Sequence, residues 1–280
     1  MKTNLMRCLI AALSFTAFQS QAQITPQPSS SQTIVQGFGL GQVTLTYSRP
    51  NVKGRKIFGG MEPYGTVWRT GANSATLLKF SDDVIIDGKK VPAGDYGLFS
   101  IPGMDEWTII ISKNPKQWGA YTYKESDDLM RFKVKTDKLK DLTETMTLDF
   151  INVSPTTCDL QMKWEHSGFA FHIVTDIDTK VMAKIDSAMK TDNKPYFESV
   201  IYYYNNNKDM DKALAWAKEI EKDKRFPPFL PKLWEARILL KKGDKAGAIA
   251  AATEGVKLAQ ASKTDEYVRL NNEVLAQAKK

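Results

Sequence analysis

Asp159-Leu-Gln-Met-Lys-Trp164 sets an apolar side chain at every second position, and Thr145-Met-Thr-Leu-Asp-Phe150 repeats the pattern just upstream. A period of two is the signature of a half-buried antiparallel strand, with one face on a core and the other in water. Working outward, Val43-Thr-Leu-Thr-Tyr47 alternates apolar and hydroxyl residues, and Arg131-Phe-Lys-Val-Lys135 alternates charge and hydrophobe. Turn signals stand between such runs at Asp87-Gly88, Pro92-Ala-Gly94, Pro102-Gly103, Lys113-Asn-Pro115 and Ser167-Gly168. Residues 33–175 therefore predict an antiparallel β-sandwich of about nine short-linked strands.

The period changes near residue 176. Asp176-Ile-Asp-Thr-Lys-Val-Met-Ala-Lys-Ile-Asp-Ser-Ala-Met189 spaces its apolar residues by three and four, as a helix does. Pro195 and Pro227-Pro228 punctuate further helices, so the class is mainly β followed by α, with a helical domain over 176–280. Lys208-Asp-Met-Asp-Lys-Ala213-Leu and Gly243-Asp-Lys-Ala-Gly-Ala248-Ile superimpose at a spacing of 35 residues. That spacing resembles a tetratricopeptide unit, whose small alanines let paired helices approach. With two degenerate copies, a plain stack of helical hairpins is the equal alternative.

At the other end, Lys2 and Arg7 precede the apolar run Leu9–Phe18, and Ser20 and Ala22 supply small residues for cleavage. Residues 1–22 predict a secretory signal, too short to span a bilayer. Residues 23–32 predict a mobile, proline-containing lead-in. The expected mature chain is exported to the periplasm or medium, is not inserted in a membrane, and keeps one thiol, Cys158. A disulfide framework is thereby excluded, since the 280 residues hold only Cys8 and Cys158. With 42% hydrophobic and 25% charged residues, the composition is that of a soluble globular protein.

Net charge is +7, but the lysines of the helical half are interleaved with acids, as on a solvated surface. No basic stripe carries stacking aromatics, so nucleic acid is not an expected partner. The β half is more asymmetric. Residues 24–81 carry Arg49, Lys53, Arg55, Lys56, Arg69 and Lys79 against the single acid Glu62, and the sign reverses beyond residue 82.

That basic stretch also carries the densest motif: Tyr47-Ser-Arg-Pro-Asn-Val-Lys-Gly-Arg-Lys-Ile-Phe-Gly-Gly60, then Pro63-Tyr-Gly-Thr-Val-Trp-Arg-Thr-Gly-Ala-Asn-Ser-Ala-Thr76. Together with Pro92–Pro102, Trp107-Thr-Ile-Ile and Trp118-Gly-Ala-Tyr, it resembles the family called domain of unknown function 2911, over roughly residues 25–175. The resemblance implies a β-rich domain of exported bacterial proteins, often followed by helices, and implies no reaction.

Guanidinium forks suit carboxylate or phosphate, and tryptophan suits a sugar ring or an apolar body. Arg49, Arg55, Trp68, Arg69, Asn73, Trp118 and Tyr121 are accordingly the candidate ligand-binding residues, lining a pocket at one end of the sandwich. The competing reading pairs the arginines with acids such as Asp127 and Asp128 and buries the tryptophans. Trp68 and Arg69, adjacent in an alternating segment, are expected on opposite faces. His166 and His172 read as a turn and a strand histidine flanking a hairpin at Ser167-Gly168, so no metal is expected. Cys158 reads as an inert thiol. No cofactor motif and no nucleophile elbow is present.

The expected function is a non-catalytic exported module that binds a small polar or anionic ligand, with residues 176–280 free to dock a protein partner. A hydrolase on an envelope or glycan substrate, with acids between Trp118 and Asp128 and with Arg69 and Asn73 holding substrate, is the first alternative. A structural envelope scaffold is the second.

Overall fold

A computed structural model describes residues Thr25–Lys280, so the expected signal segment 1–22 lies outside the described residues. The chain divides into two compact units between Asp176 and Ile177.

Among the described residues the first unit holds ten antiparallel strands: β1 (Ser30–Phe38), β2 (Gly41–Arg49), β3 (Thr76–Phe80), β4 (Val84–Ile86), β5 (Lys89–Val91), β6 (Gly94–Ile101), β7 (Glu106–Ser112), β8 (Asp128–Lys135), β9 (Asp137–Ile151) and β10 (Thr157–Val174). One sheet runs β1-β2-β3-β6-β7-β8, the other β5-β4-β10-β9. Their inner faces share one core, to which β2 gives Val43, Leu45 and Tyr47, β7 gives Trp107, Ile109 and Ile111, and β10 gives Leu160, Met162 and Trp164. The period of two is thus a period of burial in strands such as β2, β3 and the first half of β10. The central β6 and β7 are instead buried on both faces, Phe99 and Ile110 packing on the side away from the shared core. At Asp87-Gly88, both residues take positive φ, 49° and 70°, which closes the tight hairpin between β4 and β5.

One turn signal has a different outcome. Ser167-Gly168 does not end a strand: β10 runs unbroken from Thr157 to Val174, and its pairing with β9 slips between Lys163 and Ser167. Burial falls on even-numbered residues up to Trp164 and on odd-numbered Phe169, Phe171 and Ile173 beyond it. An inserted residue flips the side-chain phase without reversing the chain, which is what a β-bulge does. Gly168 is needed because a Cβ there would lie 2.4 Å from the Met162 carbonyl. His166 and His172 are consequently two exposed positions of one strand, with no hairpin between them.

The second unit is six helices: α1 (Asp178–Ala188), α2 (Tyr196–Asn205), α3 (Met210–Ile220), α4 (Phe229–Lys241), α5 (Lys245–Ala261) and α6 (Asp265–Ala278). None is long and apolar enough to cross a membrane. The two copies of the 35-residue pattern open α3 and α5. Asp209 caps α3, its carboxylate accepting from the backbone of Asp211 and Lys212, and Asp244 caps α5 by accepting from Gly247 N. Ala213 and Ala248, four residues past each cap, are fully buried.

Candidate functional site

Two loops build the candidate site on one end of the sandwich. The first follows β2. Pro50 O accepts from Met146 N, Val52 N donates to Glu144 O, and Lys53 N donates to the Glu144 carboxylate at 2.9 Å, so residues 50–53 are held along β9. The loop then turns back over β10, where the Glu165 carboxylate accepts from Ile57 N at 3.1 Å. Glu165 sits in the bulge of β10 with φ 56°, so the phase flip aims its carboxylate at the loop. The Gly59-Gly60 step completes the turn. Gly59 takes φ 74°, and a Cβ on Gly60 would stand 2.5 Å from Lys56 O. Glu62 emerges from this turn with its backbone N bonded to Ile57 O.

The second loop precedes β3. Trp68 and Ser100 exchange backbone hydrogen bonds of 2.7 and 2.9 Å, which lay the loop beside β6. The Trp68 side chain enters the core, where it stacks on Trp164 and touches Phe58 edge-on at 5.8 Å. Its indole N–H donates to Gly71 O at 3.1 Å. Thr70 and Asn73 hold positive φ, 50° and 59°, and the Thr76 hydroxyl donates to Thr70 O at 2.7 Å, fixing the bend.

Between the loops lies a cavity of about 380 Å³. Lys53, Arg55, Glu62, Arg69, Asn73 and Trp164 are among its walls, and Pro28 and Ser29 of the lead-in close one side. Arg55 is oriented by its own loop: Nε donates to Val52 O at 3.0 Å and Nη2 to Asn51 O at 2.5 Å. Arg69 Nε and Trp164 Nε1 are buried with no protein acceptor. Buried N–H groups are rarely left so, because each costs about 1–3 kcal/mol without a partner. Glu62 is the one carboxylate in the walls. Burial pushes its pKa up to about 7, against the pull of the Arg69 charge. The walls of the cavity thus bring together three cations and one carboxyl whose pKa burial raises.

A second, wider cavity of about 590 Å³ lies next to it, and Asn73 lines both. Trp118 stands at its rim, 64% exposed, held by backbone pairing with Ser74. Asn73 Nδ2 reaches Gln27 Oε1, Ser29 O and Ser48 Oγ at 3.2–3.3 Å, tying the lead-in between the two cavities.

The residues singled out from sequence therefore divide. Arg55, Arg69 and Asn73 converge on the first cavity and Trp118 borders the second. Arg49 faces elsewhere, because its guanidinium ties β2 to β9 through Met146 O and Thr147 Oγ1, both at 3.0 Å. Trp68 is 3% exposed and offers no open face. Tyr121 is 85% exposed and stands outside both cavity walls. The acids expected to bind the arginines are engaged with other groups. Asp128 pairs with Arg131 and accepts from the Tyr123 hydroxyl at 2.8 Å, while Asp127 accepts from Asn114.

Sequence reasoning missed three members of the site. Glu62 carried a signal, as the lone acid in a basic stretch. Lys53 carried one too, as a base of that same stretch, whereas Trp164 carried none, because its place depends on the β10 bulge. Among the described residues, no group of three or more metal-type ligands comes together. His172 pairs with Asp159 at 2.5 Å instead. Burial raises the Cys158 thiol pKa to about 11, which leaves it protonated and unreactive.

A family model described as protein of unknown function (DUF2911) matches residues 29–173, which take in all ten strands save the last residue of β10. No curated protein and no solved structure matches the chain.

Proposed function

The chain belongs to the DUF2911 family, whose description assigns no activity, and from its own residues we propose that it is an exported, non-catalytic module that binds a small anionic ligand. The observation that carries this reading is the convergence of Arg69, Arg55 and Lys53 on one cavity with a single acid, Glu62, in its walls. Two guanidinium groups and an ammonium around one carboxyl are the side chains that recognise a carboxylate or a phosphate oxygen. Hydrolysis by paired carboxylates finds less support, since Glu62 has no second acid beside it in that wall. The helices α1–α6 are read as a tetratricopeptide-like tail for docking a protein partner. Supporting this are the matched caps of α3 and α5 and the buried alanines after them.

The test is a thermal-shift titration of the purified chain with small carboxylates and with inorganic phosphate. A ligand that binds only the folded state raises the melting temperature with the logarithm of its concentration. The same titration on Arg69→Lys, which keeps the charge and loses the fork, is expected to show the shift abolished. If no anion moves the melting temperature of the parent chain at millimolar concentration, the reading fails.

A further inference from the structure

We propose that the ligand is an acidic saccharide, with its carboxylate in the Arg69 cavity and a neighbouring sugar ring on the face of Trp118. The proposal rests on the anion-binding reading and adds to it the second cavity. An exposed indole at the edge of a 590 Å³ groove is an apolar plate in a polar setting, since Gln27, Thr46, Ser48 and Gln117 stand in the same walls. A sugar ring has the matching character, an apolar C–H face and a rim of hydroxyls, so indole and hydroxyl-bearing walls can be used at once. The shared residue, Asn73, puts the anion site and the plate on adjoining surfaces. A ligand that is both anionic and ring-shaped fits this pair better than a bare anion, which would leave the groove unused.

A carboxylate suits the inner cavity better than a phosphate dianion. Glu62 shares the wall with Lys53, Arg55 and Arg69. A carboxyl beside a carboxylate can share one proton with it, whereas a dianion repels an ionised Glu62 more strongly.

The test is calorimetric titration of the full chain with trimers of galacturonate and of mannuronate, the two monomers, neutral cellotriose and inorganic phosphate. At least one acidic trimer is expected to bind about tenfold tighter than its monomer, the gain one aromatic contact supplies. Trp118→Ala is expected to remove that gain and leave monomer binding unchanged, while Arg69→Lys weakens trimer and monomer together. If no acidic trimer outbinds its monomer, if the gain survives Trp118→Ala, or if cellotriose binds as tightly as the acidic trimers, the saccharide proposal is overturned. Binding of phosphate or of the uronate monomers, lost in Arg69→Lys, would then leave the anion reading standing. If no probe binds at all, both are overturned.

Discussion

The indole of Trp68 lies on that of Trp164, ring centroids 5.8 Å apart and planes 17° from parallel. One ring comes from the loop that carries Arg69; the other comes from β10 and also forms part of the cavity wall. Phe58, from the first loop, meets both rings edge-on at 5.8 Å and Trp107 at 4.9 Å. Both loops of the site are therefore anchored through one aromatic cluster at the heart of the sandwich. The position of Arg69 is a consequence of core packing.

Trp68→Ala should accordingly damage the fold before it touches ligand. Removing a fully packed indole costs about 3–5 kcal/mol, since neighbouring rings cannot close the space it leaves. Urea unfolding should show the midpoint moved down by that amount with little change in slope. A loss under 1 kcal/mol would mean that the aromatic cluster does not anchor the loop.

Arg49 and Arg69 look alike in sequence and should separate on substitution. Arg49→Met leaves Met146 O and Thr147 Oγ1 without their donor, and should lower stability by about 1–3 kcal/mol. Arg69→Lys should stay within about 0.5 kcal/mol of the parent, because its Nε makes no protein hydrogen bond to lose. Equal losses in chemical denaturation would show that both arginines are structural.

In the helical unit, Ala248 has no room for a larger side chain. Ala248→Phe should overpack α5 and cost about 1–3 kcal/mol, and Ala213→Phe should do the same in α3. Unchanged melting in both variants would place these alanines at a surface and remove the basis for a repeat.

The β-then-α order was legible because periodicity reports burial, and Leu160, Met162 and Trp164 are the core face of β10 just as their spacing says. The bulge was not legible. Ser167-Gly168 has turn composition, and only the flip of burial from Trp164 to Phe169 distinguishes an inserted residue from a reversal. For the site, sequence marks Arg55, Arg69 and Asn73 because they cluster within one motif. It cannot tell Arg49 from them, since the partners of Arg49 lie almost a hundred residues along the chain in β9. Trp68 misleads for a similar reason. A tryptophan beside an arginine suits a ligand or a core equally, and here Trp164 from the opposite sheet decides for the core.

Glu62 gives the cavity a pH dependence whose sign follows from its surroundings. Burial raises its folded pKa to about 7, while an unfolded glutamate titrates near ~4.3. Between those values the folded state holds the proton more tightly, so stability falls as pH rises through the window and levels off above it. Each tenfold difference in proton affinity is worth about 1.4 kcal/mol, and allowing for solvent at the cavity mouth the total is on the order of 2 kcal/mol. Glu62→Gln mimics the protonated side chain and cannot ionise. It should match the parent near pH 4 and be the more stable protein at pH 8, with the gap opening between pH 5 and 7. Denaturant midpoints across that range check this directly. Parallel profiles for the two proteins would mean that Glu62 titrates as an ordinary surface carboxylate. A gap of the opposite sign would mean that the ionised form is held by Arg69 as a salt bridge, and the cavity would then offer one cation fewer to an anion.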